Sequence, residues 1–79
     1  GPRPDLILLD LHLPDASGME VLRLLKANPD TAGIPVIMVS ADAMPEQVKA
    51  ALAAGAQRYQ TKPVHLPALL QLIDELLRH

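Results

Sequence analysis

Two short apolar runs, Leu6-Ile7-Leu8-Leu9 and Val36-Ile37-Met38-Val39, most constrain what this chain can fold into, because neither alternates polar with apolar residues. A strand with one wet face alternates. An unbroken run bounded by turn residues therefore reads as a strand covered on both faces, as in a parallel sheet between helices. Pro4 and the turn from Pro14 to Gly18 bound the first run. Arg58 to Thr61 reads as a third strand because it lies between a glycine-ended helix and the Lys62-Pro63 turn.

Helical patterns separate the strands. Ser17 and Glu20 form an S-x-x-E capping box, in which the Ser17 side chain accepts the Glu20 amide and the Glu20 carboxylate returns to the Ser17 amide. That helix runs to about Ala27, with Val21, Leu22 and Leu25 as its buried stripe, and Asn28-Pro29-Asp30 stops it. Pro45 starts a second helix in its first turn, where a missing amide hydrogen costs nothing, and Gly55 ends it after Ala54. A last helix, about Leu66 to Leu77, carries apolar residues at 66, 69, 70, 73, 76 and 77, with Leu72 widening the stripe. It needs a broad partner surface. The order βαβαβα, with crossovers too long for hairpins, predicts a right-handed, doubly wound parallel α/β sheet.

Three chemistry-bearing residues fall where these strands end: Asp10, Ser40 and Lys62. In open parallel sheets ligands bind beyond the carboxyl ends of the strands, so an acid, a hydroxyl and an ammonium at three successive ends converge on one site.

Composition narrows the function classes. Seventy-nine residues make one small domain, which at that size buries only roughly 60–65% of its unfolded surface. The net charge of −2 leaves no electrostatic footprint for nucleic acid or an anionic membrane. With no cysteine, disulfide frameworks and thiolate metal sites are excluded, and a reducing, cytoplasmic setting is expected. No apolar run approaches the roughly 18 residues of a membrane span, and no signal peptide is visible. The chain opens on Gly1-Pro2 rather than methionine, which reads as a processing boundary or the remnant of a cleaved tag.

The spacings of 30 residues from Asp10 to Ser40 and 22 from Ser40 to Lys62, with Leu13-Pro14-Asp15-Ala16-Ser17-Gly18, resemble the receiver domain of two-component response regulators. The resemblance covers Pro4 to Leu77 and corresponds to the last two thirds of a receiver. It implies a flavodoxin-like fold of which residues 1–79 supply strands 3–5 and helices 3–5, a single partial domain without the first two strands and helices. It implies Asp10 as phosphoacceptor, taking a phosphoryl group from a histidine kinase or phosphotransfer protein. Ser40 then matches the hydroxyl that reaches a phosphoryl oxygen, and Lys62 the lysine that pairs with the acid and then with the phosphoryl group. Pro63 fits the family's lysine-proline pair, whose peptide bond is cis in the family. Tyr59, the chain's one aromatic residue, matches the switch aromatic that moves when the hydroxyl shifts.

The resemblance also implies Mg2+. Asp10 and the His12 backbone carbonyl map to its ligands, while the family's neighbouring acidic pair has no counterpart here. The His12 and Asp42 side chains match positions that tune access to the site; Asp42 read without the family is a solvated loop acid. Side-chain metal ligation by His12 is not expected, since no second ligand stands at metal-finger spacing. His65 and His79 read as surface residues.

In the family's strand order 2-1-3-4-5 the Leu6 to Asp10 strand is interior, and here it becomes an edge. Edges invite pairing, so self-association through the first strand, the last helix or both is expected. The signalling module is expected not to be an enzyme, whether it stands alone or ends a hybrid histidine kinase. Two other readings compete with it. One is a non-phosphorylated, self-associating receiver fragment. The other is a hydrolase with Ser40 as nucleophile, which lacks the G-x-S-x-G elbow.

Overall fold

The computed structural model describes residues 4–12, 17–42 and 44–78. Gly1-Pro2, the Leu13 to Ala16 part of the turn motif, and His79 lie outside them. The order is β1 (Ile7–Asp10), α1 (Gly18–Ala27), β2 (Val36–Ser40), α2 (Pro45–Ala53), β3 (Arg58–Thr61) and α3 (Leu66–Leu77). The strands form one parallel sheet in the order β1-β2-β3, with Ile7 opposite Val36 and Ile37 opposite Arg58. The βαβαβα order, the parallel sheet and the doubly wound α/β class follow the sequence reading.

Strand alternation explains the layers. Val36 and Met38 point to one face of β2 and are fully buried in a cluster with Leu9, Leu22 of α1 and Ala51 of α2. Two successive right-handed crossovers put α1 and α2 on that same face. Ile37, pointing the other way, is equally buried and lies outside that cluster. β1 departs from the two-sided burial that its unbroken apolar run predicts. Leu8, on the Ile37 face, is 50% exposed, because β1 is an edge whose outer face lacks the cover that β2 receives.

The helix boundaries agree with the sequence signals, with one correction. Ser17 is the N-cap of α1 but makes no side-chain capping bond, so the predicted box with Glu20 does not close. Main-chain contacts hold this junction instead: the Gly18 amide donates to the Leu11 carbonyl at 2.8 Å, and Ser17 bridges to His12. Asn28 caps the far end of α1, its amide donating to Leu24 O. Gly55 follows α2 at φ 114°, the left-handed region that glycine adopts without strain. Lys26 ties the α1–β2 connection together, with Nζ donating to Ile34 O at 2.8 Å and to Ala32 O at 3.2 Å.

Candidate functional site

Register brings the strand ends together. Asp10 pairs with Val39 and Ser40 with Thr61, so the acid, the hydroxyl and the residue before Lys62 lie along one edge of the sheet. Main-chain bonds continue past the last ladder pairs: Leu11 N donates to Val39 O at 2.9 Å and Lys62 N to Ser40 O at 2.8 Å. The Lys62-Pro63 peptide is cis.

Asp10 and Lys62 meet directly. Lys62 Nζ donates to Asp10 Oδ2 at 2.6 Å, while the His12 amide donates to Asp10 Oδ1 at 2.9 Å. Both carboxylate oxygens are therefore engaged, yet the Asp10 side chain stays 35% exposed. The Lys62 hydrogen bond, chiefly, and the His12 amide hold the Asp10 carboxyl below its ordinary range. Both donors favour the ionised form, against a smaller opposing desolvation. A partly exposed carboxylate held by a lysine can act as a nucleophile whose product charge would already have a counterion beside it.

Ser40, Asp42 and Tyr59 form a second, adjoining group. Ser40 is fully buried, and its Oγ accepts the Asp42 amide at 3.0 Å. Tyr59, half-buried on β3, donates its hydroxyl to the Asp42 carbonyl at 2.7 Å. Among the described residues no hydrogen bond joins the Ser40 hydroxyl to the Asp10 carboxylate; the two groups connect through Lys62 N and Ser40 O. A buried Ser40 engaged with its own loop is poorly placed as a hydrolytic nucleophile. The Asp42 carboxylate sits in the loop with its Oδ1 accepting the Met44 amide at 2.9 Å. The His12 side chain is exposed beside Asp10, and His65 is exposed at the start of α3.

Magnesium prefers a near-octahedral set of hard oxygens. Asp10 is such a donor, but among the described residues no three His, Cys, Asp or Glu side chains gather as a metal cluster. The described donors alone do not fit the ion.

Sequence reasoning passed over Gly18 as a determinant of this site. It is buried as the first residue of α1, and a Cβ there would stand 2.6 Å from Leu11 Cα and 2.9 Å from Leu11 O, with the Asp10 carbonyl closer still. The available signal was a glycine at a helix start, where propensity alone disfavours it.

A model of the response regulator receiver domain matches residues 2–74. The polar-differentiation response regulator DivK of Brucella anthropi is 40% identical over 75 residues, covering 95% of this chain and 61% of that protein. The signal receiver domain of a DNA-binding response regulator (merR) from Colwellia psychrerythraea 34H superposes with a TM-score of 0.90 at 29% identity, covering 96% of this chain and 62% of its own. The Mn(2+)-bound form of response regulator Rcp1 superposes with a TM-score of 0.75 at 39% identity, covering 95% of this chain and 54% of its own. The chain thus spans about three fifths of DivK's length. It belongs to the response regulator receiver domain family.

Proposed function

We propose that this chain is a phosphoaccepting receiver unit, built from strands 3–5 and helices 3–5 of the family fold, in which Asp10 takes a phosphoryl group. The observation that carries this reading is the Lys62 ammonium on the Asp10 carboxylate, at an exposed strand end. An Asp10 oxygen attacks phosphorus, an O–P bond forms, and the bond to the donor breaks, so the donor's former bridging atom leaves with the electron pair. Lys62 then turns from the carboxylate to a phosphoryl oxygen as a compact positive charge. The Ser40 hydroxyl leaves the Asp42 amide for another phosphoryl oxygen, and Tyr59 responds through the same loop. His12 flanks the approach.

The partner that fits is a histidine kinase or phosphotransfer protein presenting a phosphohistidine. The family's Mg2+ would draw on Asp10 and the His12 carbonyl, with further oxygens from elsewhere. The test is borohydride reduction after treatment with acetyl phosphate, which converts an aspartyl phosphate to homoserine. Homoserine at position 10 is expected; its absence, or its appearance at another aspartate, contradicts the assignment.

A second reading, self-association, is favoured by the exposure of Leu8, Leu66, Leu70 and Leu77, at 50%, 60%, 56% and 47%. Leu8 lies on the unpaired edge β1 and the others on α3, leaving apolar surface that a second copy can cover. Sedimentation is expected to show dimer or larger species that Leu70→Lys shifts toward monomer. A well-folded monomer at high concentration contradicts it.

A further inference from the structure

Asp42 uses its three kinds of polar group on three different elements. Its amide donates to Ser40 Oγ at the end of β2, its carbonyl accepts the Tyr59 hydroxyl from β3, and its Oδ1 accepts the Met44 amide. Met44 is the residue on which α2 begins: its carbonyl accepts the Gln47 and Val48 amides at 3.0 and 3.1 Å. No Met44 side-chain bond caps α2, and Pro45 offers no donor, so the fixed point at the helix start is the Asp42–Met44 bond.

We propose that Asp42 is a positioning residue whose side-chain oxygen, acting as an acceptor rather than as a charge, sets the resting place of Tyr59 and of the start of α2. This role rests on the reading of Ser40 and Tyr59 as a switch pair. When the Ser40 hydroxyl departs, Asp42 loses one of its three ties, and its carboxylate and carbonyl decide how far the loop yields. An access-tuning side chain would act through its charge and reach over the site. This carboxylate is instead turned to its own loop, two residues along the chain.

Charge and acceptor separate cleanly in two substitutions. Asp42→Asn removes the charge and keeps an oxygen at the same distance; Asp42→Glu keeps the charge and displaces the oxygen by one methylene. Amide hydrogen exchange at Gln47 and Val48 reads the helix start, and the emission of Tyr59 reads the aromatic without interference, because the chain has no other aromatic residue. Neither readout needs a phosphoryl group, so a failure here is distinct from a failure of Asp10 to accept one.

Asp42→Glu is expected to lose about tenfold of the protection at those amides and to change Tyr59 emission, as removal of a cap does. Asp42→Asn is expected to keep both close to the parent. Asp42→Ala should behave as Asp42→Glu if it folds, and the Asn and Glu pair decides the matter if it does not. A changed Asn variant beside an unchanged Glu variant would overturn the proposal in favour of charge. Equal behaviour of the two variants, changed or unchanged, would overturn it as well.

Discussion

A side chain at Gly18 would collide with Leu11: a Cβ there stands 2.6 Å from the Leu11 α-carbon, while the Gly18 amide donates to the Leu11 carbonyl at 2.8 Å. Backbone meets backbone, so no rotamer relieves it. Gly18→Ala is expected to cost roughly 1–3 kcal/mol, the range of overpacking, and to displace the Asp10 carbonyl with it. Chemical denaturation measures the loss. A variant as stable as the parent would contradict the packing described.

Lys62→Met tests which role the lysine plays. The Lys62 and Asp10 side chains are 45% and 35% exposed, and ion pairs so open to solvent contribute little to stability. The midpoint of unfolding should therefore move little, while phosphoryl uptake from acetyl phosphate should fall strongly. A large loss of stability with uptake intact would make Lys62 structural.

The same variant has a pH signature. The Asp10 carboxyl lies below its ordinary range in the folded chain, so its contribution to stability is present above the unfolded value and is lost as pH falls through the folded one. The Lys62 hydrogen bond is the largest cause, so Lys62→Met should raise the Asp10 titration midpoint toward the ordinary range, the His12 amide still holding it somewhat low. Carboxyl carbon NMR across acidic pH follows the shift. An unmoved midpoint would mean that Lys62 does not hold the carboxylate in solution.

Ile37 is fully buried on the sheet face opposite the α1 and α2 cluster. Ile37→Ala should cost about 2–5 kcal/mol. That is a large share of the roughly 5–15 kcal/mol available to a domain, so the variant should populate unfolded chain at ordinary temperature. A mild effect, under about 1 kcal/mol, would show that this face of the sheet carries little of the core.

What could be read from the sequence follows from which forces are local. Unbroken apolar runs, a proline at the start of α2 and a glycine after it are local signals, and β2, α2 and α3 lie where they predict. The Asp10 and Lys62 contact spans 52 positions yet was legible, because parallel strands bring their carboxyl ends to one edge. The capping box failed because the Leu11-His12 segment, several residues earlier, holds the α1 junction through the main chain. Leu8 looked doubly covered because a run of leucines does not report how many neighbours its strand has. The Asp42 clasp was hidden for a similar reason: a loop acid shows its charge in the sequence and its hydrogen-bond partner only in the fold.

Whether Asp10 accepts a phosphoryl group is read from intact mass after incubation with acetyl phosphate and magnesium, with Asp10→Asn as control. The parent chain is expected to gain one phosphoryl group and the variant none. No gain in the parent, or the same gain in both, would contradict the assignment of Asp10.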